Sequence, residues 1–144
     1  MERLKNYTVG GTIHVVINNQ VGFTTTPDRA RSSTYCSEVA TAISAPIFHV
    51  NAHSMADVAN TFRIAAQYRQ KFGRDVVIDL VGYRKMGHNE LDQPSYTQPL
   101  MYAIVKNMIP VRNVYRQQLL DQGIPEATLK DVEDKTQAKL EEAY

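Results

Sequence analysis

A run of apolar, mostly β-branched residues, Ile13-His-Val-Val-Ile17, ends abruptly in Asn18, Asn19, Gln20, Val21 and Gly22. Residues of this kind predict a strand over 12–18, buried on both faces. In an open parallel sheet, ligands sit beyond the carboxyl ends of the strands. Three neutral amides are therefore delivered to the place where such folds bind cofactors. Amide and backbone carbonyl oxygens are hard donors that suit Mg²⁺, above all when a bound diphosphate supplies the negative charge. Gly22 lets the backbone pass close to a bulky ligand. The spacing alone leaves a second reading open, in which Asn18 and Asn19 merely turn the chain, because Asn tolerates left-handed backbone.

A second constellation follows another apolar run at 76–81. Its loop, Gly82-Tyr-Arg-Lys-Met-Gly-His-Asn-Glu-Leu-Asp-Gln-Pro94, concentrates Arg84, Lys85, His88, Asn89, Glu90 and Asp92. It leaves a carboxyl strand end and so is expected to meet the 18–22 loop. An imidazole beside a diphosphate would donate a hydrogen bond and respond to pH near neutrality; the alternative is a solvated polar loop. Of the other histidines, His14 falls inside the first strand and reads as a core residue satisfied by a neighbour. His49 can reach the strand-end region near Asn51, and His53 reads as surface. No two histidines have zinc-site spacing, and no Gly-rich phosphate loop of the Walker or Rossmann pattern is present. Cys36 lacks a recognisable nucleophile signature.

These residues need elements to position them. Residues 24–33 are polar and read as a loop. Residues 34–44 predict a short helix with Val39, Ala40 and Ile43 on one face, and 47–50 a short strand after Pro46. Ser54 caps a helix whose Met55, Val58, Ala59, Phe62, Ala65, Ala66 and Phe72 recur at three-four spacing, and Gly73 ends it. Residues 98–122 predict one or two helices, with Pro110 as a break. Gly123 stops that segment, and Pro125 opens a last helix with Leu129, Val132, Thr136 and Leu140 as its stripe. Alternating strands and helices imply an α/β fold with a parallel sheet flanked by helices, followed by a helical C-terminal tail. Residues 1–144 are expected to be a single partial domain, with 98–144 as a helical extension.

The chain has 144 residues, 43% hydrophobic and 22% charged, which is the composition of a globular domain. A formal net charge of +1 gives no electrostatic reason to expect nucleic acid, and the eight tyrosines have no basic strip beside them. One cysteine excludes an intrachain disulfide and fits a reducing compartment. No apolar stretch has the length of a membrane span. The opening residues resemble neither a secretory signal nor a transit peptide.

The segment Gly10-Gly-Thr-Ile-His-Val-Val-Ile-Asn-Asn-Gln-Val-Gly-Phe-Thr-Thr25 resembles the closing half of the thiamine diphosphate motif, which opens with Gly-Asp-Gly and ends in Asn-Asn. More narrowly, it is similar to the 2-oxoglutarate dehydrogenase component family and its 2-oxoadipate dehydrogenase relatives. The likeness continues through Ala30-Arg-Ser-Ser33, Ala45-Pro-Ile-Phe-His-Val-Asn51, Asp75-Val-Val-Ile-Asp-Leu80, Tyr83-Arg84, Gly87-His-Asn-Glu90 and Thr97-Gln-Pro-Leu-Met-Tyr102. The resemblance implies part of a thiamine diphosphate-binding fold, the diphosphate and Mg²⁺ half of it. Asn19 would give its side-chain oxygen and Val21 its backbone carbonyl to Mg²⁺, with Asn19, Gln20, Val21, Gly22 and His88 around the cofactor. The family's third metal ligand, the Asp of Gly-Asp-Gly, and its activating glutamate lie outside these residues. The chain alone is therefore expected to be inactive, and no residue in it is assigned as acid, base or nucleophile. In the family a 2-oxo acid is decarboxylated and its acyl group passes to the lipoyl arm of an acyltransferase partner. The full-length form is expected to be a homodimer, in the mitochondrial matrix of a eukaryote or the cytoplasm of a bacterium. Gln98-Pro-Leu-Met leans toward 2-oxoglutarate over 2-oxoadipate, and a non-catalytic assembly module is the reading from a different class.

Overall fold

A computed structural model describes residues 4–144. They fall into two compact units, one running to Met108 and one covering Ile109–Tyr144. In the first, β1 (Ile13–Asn18), β2 (Ile47–Asn51) and β3 (Val76–Val81) form a parallel sheet in the order β1-β3-β2. Helix α1 (Pro27–Ala30) and a 3-10 turn at Glu38–Ile43 lie between β1 and β2, and α2 (Met55–Phe72) joins β2 to β3. A second 3-10 turn at Pro94–Tyr96 leads into α3 (Pro99–Val105).

The register decides where the site can be. Asn18 pairs with Val81, and Val81 with Asn51, so all three carboxyl strand ends finish level. Alternation then sorts the side chains by face. Val50, Val76 and Ile78 pack with Ala65 of α2, supported by Phe48, Val58, Phe62, Tyr68, Leu80 and Ile13. Ile78 and Ala65 are fully enclosed, and burial of an Ile-sized side chain contributes roughly 1.5–3 kcal/mol. Helix α2 begins after Ser54, whose hydroxyl donates to Asp57 Oδ2 at 2.6 Å rather than capping a backbone N–H. It ends at Gly73, whose left-handed backbone (φ 58°) lets its N–H reach the Arg69 carbonyl.

Three expectations are corrected. β1 is not buried on both faces: Val15 is 42% and Ile17 79% exposed. It is the edge of the described sheet, and the cluster beneath α2 takes only Ile13 from it. Residues 34–44 do not form an α-helix but the 3-10 turn at Glu38–Ile43, in which Ala40 is buried and Val39 is 81% exposed. Three residues per turn bring 40 and 43 together and rotate 39 outward. Within 24–33, Pro27 starts the single turn α1.

His14 is satisfied by a partner, as expected, but outside the core. Its Nε2 lies 2.8 Å from Asp75 Oδ2, and its side chain is 47% exposed. Asp75 Oδ1 also accepts the Thr12 N–H at 2.9 Å, tying the start of β1 to the turn before β3. Close by, Gly11 (φ +79°) crosses that turn so tightly that a Cβ would sit 2.5 Å from the Arg74 carbonyl oxygen. The His14 hydrogen bond, then the Thr12 N–H, hold the Asp75 carboxyl below its ordinary range against desolvation. A carboxyl lowered in the folded state adds stability above its unfolded pKa, and that stability is lost as the pH falls through the folded value. His14→Ala is expected to start acid unfolding at a higher pH than in the parent, by a small margin for so exposed a pair. An acid titration followed by circular dichroism checks this; coincident curves would assign the hold on Asp75 to Thr12.

In the second unit, α4 (Val111–Asp121) starts after Pro110, so the 98–122 segment resolves into two helices, α3 and α4. Gly123 turns the chain at φ 85°, and α5 (Glu126–Ala143) follows Pro125. Arg116 of α4 meets Glu126 at 2.7 Å and Glu133 at 3.6 Å, both on α5. The stripe read on α5 leaves Val132 58% and Leu140 63% exposed. No described helix is long and apolar enough to cross a membrane.

Candidate functional site

The residues after β1 fold into a compact turn. Asn18 Oδ1 accepts the Gln20 N–H at 3.0 Å, and Asn19 Oδ1 accepts the Val21 N–H at 3.2 Å. These two successive Asx turns place Gln20 (φ 63°) in the left-handed region. Gly22 and Thr25 then exchange backbone hydrogen bonds at 2.8 Å, with Phe23 (φ 54°) at the tip. The two readings of the asparagines are thus compatible. A carbonyl-type oxygen has two lone pairs, so Asn19 Oδ1 can hold the turn and still face a cation.

The turn borders a cavity of about 220 Å³ lined by Asn19, Gln20, Val21, Gly22, Arg31 and Cys36, among others. Gly22 is open, with the nearest atom to a hypothetical Cβ being the Thr25 carbonyl oxygen at 4.0 Å. Arg31 brings a cation to the wall; its Nη2 donates to the Thr34 carbonyl at 3.2 Å, while its enclosed Nε meets no acceptor. Neutral oxygen donors beside a guanidinium could suit a metal that arrives with its own anion. Among the described residues, no three His, Cys, Asp or Glu side chains gather into a metal cluster.

The loop after β3 meets this turn. Gly82 donates its N–H to the Asn18 carbonyl at 2.8 Å and accepts from Gln20 Nε2 at 2.7 Å. Arg84 Nη2 donates to the Phe23 carbonyl at 3.0 Å, and Gln98 Nε2 to that of Thr24 at 3.1 Å. The His88 ring lies 5.0 Å from the Phe23 ring, tilted by 57°. Asp92 holds this loop, accepting the His88 N–H at 2.9 Å with Arg84 Nη2 at 3.9 Å. All five residues singled out around a cofactor, Asn19, Gln20, Val21, Gly22 and His88, therefore belong to two loops in contact. His88 is exposed and Asn19 half-buried. His53 is half-buried rather than on the surface, its ring 6.2 Å from that of Tyr83.

One group escaped the reading of the sequence. Asp79, 1% exposed, stands in the middle of β3, with Oδ2 2.9 Å from His49 Nδ1 and Oδ1 3.7 Å from Cys36 Sγ. The same sulfur accepts from Asn18 Nδ2 at 3.6 Å, and the Tyr35 ring lies 4.2 Å from the His49 ring. Partners 30 and 43 positions apart leave no periodicity to find. The available signal was the acid itself, since a carboxylate inside Val76-Val-Ile-Asp-Leu-Val81 must find hydrogen-bond donors. Burial first, then the Asp79 charge, push the Cys36 thiol up, so it stays protonated.

The family described as dehydrogenase E1 component matches residues 1–144. The mitochondrial 2-oxoglutarate dehydrogenase of Saccharomyces cerevisiae is 54% identical over 120 residues, covering 83% of this chain and 12% of its own length. The 2-oxoglutarate dehydrogenase E1 component of Bacillus licheniformis is 42% identical over 145 residues, 100% of this chain and 15% of its own. A probable 2-oxoadipate dehydrogenase complex component E1 homolog of Dictyostelium discoideum is 44% identical over 145 residues, 100% and 16%. The chain thus spans 12–16% of the length of these curated relatives.

Proposed function

The chain belongs to the dehydrogenase E1 component family, and from that premise we propose that it is the segment that anchors thiamine diphosphate and Mg²⁺ in an enzyme decarboxylating 2-oxoglutarate. The observation that carries the reading is the junction of the Asn19–Gly22 turn with the His88 loop over level strand ends. The donor set fits the group: Asn19 Oδ1 and the Val21 carbonyl toward Mg²⁺, with Gln20, Gly22 and His88 around the diphosphate. Uncharged donors suit a metal already neutralised by diphosphate, and an exposed imidazole can donate to a phosphate oxygen. When bound, thiamine diphosphate supplies the electron sink for cleaving the bond between the 2-oxo carbon and its carboxylate. The chain's part is to fix where that group lies, which is worth much of a reaction's entropy.

The acyl product would pass to a lipoyl-bearing acyltransferase, and the working form would be a homodimer. Its place would be the mitochondrial matrix in a eukaryote or the cytoplasm in a bacterium; relatives named mitochondrial and a bacterial one accompany this reading. The 2-oxoadipate alternative rests on the Dictyostelium relative at 44% identity, against 54% for the yeast 2-oxoglutarate dehydrogenase. Calorimetric titration of the full-length polypeptide with thiamine diphosphate and Mg²⁺ is expected to show saturable, Mg²⁺-dependent binding. Decarboxylation assays with the two acids should then favour 2-oxoglutarate. Absence of binding would leave a non-catalytic assembly module, and preference for 2-oxoadipate would move the substrate.

A further inference from the structure

Among the described residues, the side-chain hydrogen bonds of Asp79, His49 and Cys36 run to one another and to Asn18, the residue that starts the cofactor turn, and Cys36 also lines the cavity beside that turn. We infer that the chain His49–Asp79–Cys36–Asn18 is a positioning device for the Asn19–Gly22 turn, acting by fixing which way the Asn18 amide faces. The inference rests on the cofactor reading above.

Asp79 is enclosed in the central strand and its carboxylate can only accept. His49 Nδ1–H therefore donates to Oδ2 at 2.9 Å, and the protonated Cys36 thiol donates to Oδ1 at 3.7 Å. A thiol whose one hydrogen is committed to Asp79 faces its other neighbours as an acceptor. Asn18 consequently turns its Nδ2 toward Sγ at 3.6 Å, which leaves Oδ1 to accept the Gln20 N–H at 3.0 Å. With the amide reversed, Nδ2 would meet the Gln20 N–H donor to donor, and the sulfur would lose its partner. Gln20 sits at φ 63°, a conformation a non-glycine residue keeps only when held. The Asn18 bond shares that hold with the Asn19–Val21 turn and the Gln20 Nε2 bond to Gly82, and so contributes to the placement of Asn19 and Val21 on either side of Gln20. The device reaches across all three strands: His49 on β2, Asp79 on β3 and Asn18 on β1. Any change in how β2 and β3 meet is thereby felt at the turn.

The test uses the full-length polypeptide and three variants, with two readouts kept apart: the Kd for thiamine diphosphate at saturating Mg²⁺, and the thermal midpoint. Cys36→Ala removes the acceptor and is expected to raise Kd by up to about tenfold, at or below the lower end of the range for groups bonded directly to a metal ligand, because Cys36 acts through Asn18 and Gln20. Cys36→Ser keeps both a donor and an acceptor and should bind close to the parent. Val50→Ala opens the core on the far side of the sheet, so it should lower the thermal midpoint and leave Kd alone. Parental Kd in Cys36→Ala, with the parent binding normally, would overturn this inference and leave the cofactor reading standing. So would a Kd loss in Val50→Ala matching that in Cys36→Ala, since the effect would then be general loosening. A parent that does not bind overturns both.

Discussion

Asn19→Ala is expected to weaken binding of thiamine diphosphate with Mg²⁺ by about a hundredfold or more, with the fold intact. Substitutions one step removed from a metal already lose about ten- to a hundredfold, so loss of a donor itself belongs at or beyond the upper end. A hundredfold corresponds to about 2.7 kcal/mol. Two effects combine in that loss. The alanine removes the amide oxygen proposed to face the metal, and it frees the Val21 N–H that this oxygen accepts at 3.2 Å. Val21 is itself the second proposed donor, through its carbonyl, so the turn and the ligand set fail together. Asn19 lies outside the cluster under α2, and the thermal midpoint should therefore move little. Asn19→Asp separates the two effects, because a carboxylate oxygen can both cap the Val21 N–H and meet Mg²⁺. It should retain much more affinity than the alanine. Calorimetry on both variants decides the matter, and parental affinity in Asn19→Ala would remove this residue from the site.

The contrast between Asn19 and Asp79 shows what could be read from the chain and what could not. Asn18 to Gly22 stood out because an apolar strand stopped at a run of amides, a local signal. The α2 helix was equally legible: Val58, Phe62 and Ala65 repeat at helical spacing, and all three do pack toward the sheet or lie within the core. Gly73 ended it as a left-handed cap should. Burial was harder, because it depends on neighbours. Val15 and Ile17 have the composition of a doubly covered strand, but β1 is an edge of the described sheet and the helix above favours β2 and β3. Likewise, Val39 fits an α-helical face with Ala40 and Ile43, and the tighter 3-10 turn rotates it into solvent. Pairings across the sheet had no local trace. His14 with Asp75, and His49 with Asp79, are made by register, and register follows only once the strand order is known.

Gly87→Ala is expected to reduce cofactor affinity by tenfold to a hundredfold while costing the sheet little. Gly87 does not need a left-handed backbone; what it needs is room. A Cβ there would collide with the Asp92 carbonyl oxygen, and would lie 2.8 Å from that of Asn89 and 3.0 Å from the Asp92 carbonyl carbon. Every one of these atoms is backbone, so none can swing away as a side chain would. The loop must reopen, and three contacts go with it: the His88 N–H to Asp92 at 2.9 Å, the Arg84–Asp92 approach at 3.9 Å and the His88 ring against Phe23. His88 then leaves the edge of the Asn19–Gly22 turn. A hydrogen bond to a charged group is worth roughly 1.5–3 kcal/mol, which sets the size of the expected affinity loss. The core cluster of Val50, Ala65, Val76 and Ile78 lies on other elements, so unfolding of the sheet should shift far less than the affinity does. Comparison with His88→Ala identifies the agent. Equal losses in the two variants mean that the tight loop matters because it presents His88. A loss in Gly87→Ala with parental affinity in His88→Ala would instead assign the effect to Arg84, whose guanidinium holds the Phe23 carbonyl and so the far side of the cofactor turn.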